Sequence, residues 1–169
     1  MGIHHYTLTV LPRAYFGEQL PAALTHADSD RGGESTSDGW WASHPPSERF
    51  LNSIRSLLPI EKSWGETEEY FSVDEWSSSD IRIWKEAGEV WCITFRFSPV
   101  ADGWSLMQRF LSLMREEHCV LFEEVSGAIF EPDERIVHQQ LVASRAMQFV
   151  SDPEGAIVQA ARELKDDAG

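Results

Sequence analysis

Ionisable side chains crowd most closely at Glu116-Glu117-His118-Cys119, with Glu123-Glu124 soon after. A histidine beside a cysteine can draw the thiol proton and leave a nucleophilic thiolate. Adjacent residues rarely supply that geometry, because their side chains diverge in a strand. Glu134 and His138 stand four apart and share a face if that stretch is helical, as metal ligands or as an ion pair. Two ligands without a third nearby carry little specificity. His4 and His5 are neighbours in an alternating segment, so they point to opposite faces and cannot close on one ion. Asp28, Asp30 and Glu34 invite a calcium-loop reading. With Asp28 first, Gly33 fits the sixth position, but Gly39 stands at the twelfth, where the loop needs Glu. The chain has no phosphate-cradling glycine motif, no nucleophile elbow and no H-E-x-x-H. The sequence therefore predicts no catalytic residue, no metal site and no cofactor.

The elements that must position side chains are plainer. Ile81 to Lys85 reads as a strand, Glu86-Ala87-Gly88-Glu89 as a turn, and Val90 to Phe97 as the returning strand. Period two places Trp91, Ile93, Phe95 and Phe97 on one face and Val90, Cys92, Thr94 and Arg96 on the other. Trp104 to Met114 follows with Met107, Phe110, Leu111 and Met114 as a helical stripe. Before this hairpin, Ile3 to Leu11 alternates as a first strand, at an edge or with one solvated face, ended by Pro12. Ser47 caps a helix whose apolar face is Phe50, Leu51, Ile54, Leu57 and Leu58, stopped by Pro59. A short strand is expected around Tyr70 to Val73.

After the central helix come Cys119 to Phe122 and Gly127 to Phe130 as short strands. Asp133 then opens a helix showing Ile136, Val137, Leu141, Ser144 and Met147. A closing helix with Ile157, Val158, Ala161 and Leu164 is capped either by Asp152 before Pro153 or by a Ser151–Glu154 box. The order is β-loop-α-β-β-β-α-β-β-α-α. Strands come in groups rather than alternating with helices. This predicts one α+β domain over residues 1–169, with a mainly antiparallel sheet of about five or six strands and helices on one face. Residues 22–39, polar and glycine-bearing, read as a long surface loop.

Charge bounds the partners. The chain carries 28 acidic against 14 basic residues, a formal net charge of −14, and its only lysines are Lys62, Lys85 and Lys165. Phosphate-backbone and anionic-membrane binding need clustered cations, so nucleic acid and membrane are not expected partners. No apolar run approaches the roughly 20 residues of a membrane span, and the N-terminus lacks a signal-peptide pattern. A cytoplasmic protein is the expectation. Cys92 and Cys119 are too far apart for a redox or zinc knuckle and read as small buried hydrophobes.

Seven tryptophans are heavy for 169 residues. Trp91 and Trp104 fit the core. Trp40-Trp41, between the polar loop and the first helix, form either a binding patch or a plug at one end of the core. Trp84 falls out of step with Ile81 and Ile83, so it points from the opposite face. With Trp76, Glu69, Asp74 and Glu75 it forms a candidate aromatic and acidic surface for a basic protein. Trp40 and Trp41 complete that candidate partner-binding set. The alternative is a pocket between sheet and helices lined by Arg82, Trp84 and Arg96, suited to a small anion or substrate.

Ser78 to Trp84, Trp91 to Phe97 and Ser144 to Pro153 resemble segments of small acidic bacterial α+β proteins, some of them similar to immunity proteins of toxin systems. The likeness covers roughly residues 40–160 in layout. It implies a bacterial, cytoplasmic, non-catalytic domain that binds and neutralises a basic toxin, and it transfers no functional residue.

Overall fold

A computed structural model describes residues 6–21, 23, 39–61, 63, 66–72, 79–98, 103–144, 147 and 151–155. Among the described residues, seven strands form one sheet: β1 (Tyr6–Pro12), β2 (Ile60–Glu61), β3 (Glu68–Ser72), β4 (Asp80–Glu86), β5 (Glu89–Phe97), β6 (Cys119–Glu123) and β7 (Ala128–Phe130). Their spatial order is β2-β3-β4-β5-β1-β6-β7, and every pairing is antiparallel. The α+β class stands, with the two-residue β2 as the strand the sequence did not announce. β1 is central, hydrogen-bonded to β5 and β6, and not an edge strand. Nothing in its own residues shows this, because its neighbours arrive some eighty or more residues later.

Register sorts the sheet into two faces. Tyr6, Leu8 and Val10 lie opposite Phe97, Phe95 and Ile93, which in turn neighbour Ile81 and Ile83. All are buried. This first face takes the helices α1 (Glu48–Arg55), α2 (Gly103–Glu116) and α3 (Glu134–Ala143). Phe110 of α2 stacks on Phe95 with ring centroids 4.2 Å apart. α1 is tied to the same face by Arg55, which donates to the Glu69 carboxylate of β3 at 2.6 and 2.8 Å. α3 runs beside α2: the Trp104 ring meets the His138 ring edge-on at 5.7 Å, and Gln108 donates to Glu134 at 3.3 Å.

The helix ends are built as their sequences indicate. The Ser47 hydroxyl accepts from the Phe50 amide at 3.0 Å. Asp133 accepts from the amides of Arg135 and Ile136, each cap satisfying donors that the first turn cannot. Asp152 accepts from the Gly155 amide at 3.0 Å, so the Asp152 cap is formed. The closing amphipathic stretch from Ile157 onward lies outside the described residues, as do His4, His5 and the calcium-like loop from Asp28 to Glu34.

One irregularity resets the second face. Trp84 pairs with Cys92 while Lys85 pairs with Val90, so Trp91 is the extra residue of a β-bulge. A bulge re-aims the side chains on its strand. Val90 therefore packs against the core cluster, and Trp91 turns out to lie against Trp84 with ring centroids 6.1 Å apart. Strict alternation places Trp91 in the core, and the bulge overturns that expectation.

Candidate functional site

On the second face the sheet is divided. Toward β6 and β7, Leu11, Val120, Phe122 and Ile129 are buried. Toward β3, β4 and β5, that face mixes buried side chains (Glu68, Tyr70, Ser72, Asp80 and Cys92) with half-buried ones. The register sets Arg82 beside Tyr70 on one side and Thr94 on the other, with Trp84 between Glu68 and Cys92, and Asp80 between Ser72 and Arg96. Arg82, Trp84, Trp91, Thr94 and Arg96 are all half-buried.

The charges there are ordered. Asp80, whose side chain is 1% exposed, accepts from Arg82 Nε at 3.2 Å and is bonded by Arg96 through Nε and a terminal nitrogen. Arg82 also reaches Glu68 at 3.5 Å. Its guanidinium lies over the Tyr70 ring, 4.9 Å from the centroid, and 6.0 Å from that of Trp84. Cations over such ring faces are held by the ring quadrupole. Burial pushes the Glu68 carboxyl above its usual value, the Arg82 charge opposes that, and the Asp80 charge adds to it. The two arginines of the candidate anion pocket are thus already matched by carboxylates. They also stand, with Trp84, on the face turned away from α1 and α2, so among the described residues no space between sheet and helices contains them.

The remaining candidates separate. Trp40 and Trp41 are 3% and 4% exposed and join the core. Trp40 meets Tyr15 and Phe16 of the 3-10 turn Arg13–Phe16, and Trp41 meets Phe50 of α1. They plug the core and leave too little surface for a partner. Glu69 faces the helices, held by Arg55 and Lys85. The Arg55 hydrogen bonds, helped by Lys85, bring its carboxyl down to about 2 against the cost of burial. It serves as a structural anchor of α1. Asp74, Glu75 and Trp76 lie outside the described residues. Of the tentative partner-binding set, Trp84 alone among the described residues is on the open face.

The reactive-looking residues are inert by environment. Cys92 and Cys119 are free and buried. Burial first, with the charges of Glu124 and Glu117 respectively, pushes each thiol up to about 12, so both are protonated at neutral pH. Register also sets Cys92 on the second face and Cys119 on the first. A cleft of about 290 Å³ lies beside Cys119, lined by Arg13, Arg115, His118, Glu131 and Asp133. Its Arg13 is spent on Glu131 at 3.0 Å and on the carbonyls of Gly17 and Glu18. Among the described residues, no three of His, Cys, Asp and Glu converge as a metal site, and no helix is long and apolar enough to cross a membrane.

Sequence reasoning passes over Tyr70, Asp80, Glu68 and the outward turn of Trp91. The first three sit in step with Arg82 and Trp84 once the register is known. No residue between Trp84 and Cys92 announces the bulge. No family model, curated protein or solved structure matches this chain.

Proposed function

We propose that this is a non-catalytic binding domain that captures a basic protein through the open part of its sheet, in the manner of an immunity protein that neutralises a toxin. The observation that carries the reading is the half-open Trp84–Trp91 pair, set among ordered charges on a chain of net charge −14. Tryptophan supplies large contact area at little entropic cost, and hot spots are enriched in it. An acidic field speeds encounter with a basic partner and makes the on-rate salt-dependent. The charges on the face are fixed before contact by Asp80, so little ordering remains to oppose binding.

The test is a pull-down from lysate of the source organism with wild type and Trp84→Ala, washed at low and then at high salt. The reading expects one stoichiometric basic protein, retained by wild type and weakened at least about tenfold by the substitution. An empty lane for wild type, or equal retention by both chains, would count against it.

A further inference from the structure

Between the end of α2 and the start of α3, the cleft beside Cys119 holds charges of both signs, and the fold leaves part of each sign unused. Its volume of about 290 Å³ is at the small end of metabolite sites, room for one small molecule. Arg115 reaches only the Pro132 carbonyl, at a long 3.4 Å, and among the described residues it pairs with no carboxylate. Most of its five N–H donors therefore have no protein partner there. Glu131 and Asp133 stand on either side of Pro132. Glu131 takes Arg13 through Oε1 at 3.0 Å, and Asp133 takes the Arg135 and Ile136 amides through Oδ1 alone. Oε2 of the first and Oδ2 of the second accept nothing among the described residues. His118 joins the wall from the left-handed position that closes α2, with φ 51°. Glycine is the usual residue there, because a Cβ is strained. The His118 backbone is tied on both sides, its amide donating to the Arg115 carbonyl at 3.2 Å and its carbonyl accepting from the Arg13 amide at 3.0 Å. The imidazole takes no part in those bonds.

We infer that this cleft is a binding site for a free α-amino acid, a ligand that carries a carboxylate and an ammonium group on one carbon. The carboxylate would lie against the Arg115 guanidinium, which can bond both of its oxygens, with the His118 imidazole as a further donor. The ammonium would donate to Asp133 Oδ2 and Glu131 Oε2. Cys119 and Pro132, both buried, give the lining an apolar part for the ligand's side chain. A simple anion would meet the two carboxylates, and a simple cation would meet Arg13 and Arg115, like charges that repel. A peptide end carries only one of the two charges. None of these residues belongs to the open sheet face, so the site stands apart from the protein-binding reading.

The probe is a panel of the common L-amino acids, each beside the α-hydroxy acid of the same side chain, which lacks the ammonium, and its own amide, which lacks the carboxylate. Binding to the full chain is read by calorimetry, and its place by the NMR signals of the His118 ring and the Arg115 Nε–H. At least one free amino acid should bind with Kd below about 1 mM and shift both signals. Its hydroxy acid and its amide should each bind at least about tenfold more weakly. Arg115→Gln should weaken binding to the same degree. Arg109→Gln, which removes the same charge from an exposed site on the same helix, should change it less than about twofold. Asp133→Asn should weaken it about tenfold with α3 still capped, because asparagine caps as well as aspartate. His118→Gly should weaken it while the chain melts no earlier, since glycine relieves the left-handed backbone. A hydroxy acid that binds as well as its amino acid would overturn the assignment in favour of a plain anion site. So would equal weakening by Arg115→Gln and Arg109→Gln, or no binding by any member of the panel up to about 10 mM.

Discussion

Asp80→Asn is the substitution that most sharply tests how the open face is held together. The Asp80 carboxylate is 1% exposed and is shared by two guanidiniums, Arg82 and Arg96, whose side chains are 31% and 26% exposed. Breaking a buried ion pair from one side costs about 3–5 kcal/mol when the orphaned charge stays dry. Here both arginines keep a route to water, and Arg82 keeps Glu68, so the expected loss is smaller, about 2–3 kcal/mol. For a chain of this size that is a fall in Tm of roughly 4–12 °C. In urea, with a slope of about 2 kcal/mol/M, the midpoint should fall by roughly 1–1.5 M at unchanged slope. A double-mutant cycle with Arg96→Met should return a coupling of about 1–3 kcal/mol. A midpoint shift below about 0.3 M, or coupling near zero, would refute the idea that Asp80 organises this face.

Four further outcomes follow from the same structure. Glu69 titrates at about 2 when folded, against 4.5 for a free glutamate, chiefly through the Arg55 hydrogen bonds. Its contribution is complete above pH 4.5 and is lost as pH falls toward 2, by an amount of order 2 kcal/mol; Glu69→Gln should flatten that acid limb in urea titrations across pH. The raised Glu68 acts with the opposite sign, since its deprotonation is costlier in the folded chain, so Glu68→Gln should steepen the net acid limb slightly. Ala87 carries φ 51° ahead of Gly88 at φ 87° in the β4–β5 turn. Two positive φ values are the signature of a type I′ turn, which favours asparagine or glycine first, so Ala87→Asn should raise stability by about 0.5–1 kcal/mol in thermal melts. A Cβ at Gly103 would press into the Ser98 carbonyl oxygen and the Phe97 ring; Gly103→Ala should destabilise by about 1–3 kcal/mol despite alanine's better helix propensity.

What the chain discloses by itself follows from locality. Ser47 and Asp133 cap as their spacing indicates, and Phe110 meets the sheet as its place in the α2 stripe demands. Period two also puts Arg82, Trp84 and Arg96 on one face, because no irregularity falls between Asp80 and Trp84. The central place of β1 is hidden, since it depends on pairing Val10 with Ile93 and Leu121 across long stretches of chain. Trp40 and Trp41 read equally as surface or plug, because only their meeting with Tyr15, Phe16 and Phe50 decides between the two. Trp91 misleads for a different reason. One extra residue in a ladder inverts the side chains around it, and apolar residues at 90 and 91 satisfy either register.

Comparative capture by wild type and Trp84→Ala tests the central claim most directly, with the substituted chain first shown by circular dichroism to keep its fold. The account predicts a single basic protein bound in one-to-one ratio by wild type, released faster by Trp84→Ala and bound more slowly as salt rises. A partner held equally well by the substituted chain, or one whose association is indifferent to salt, would contradict it.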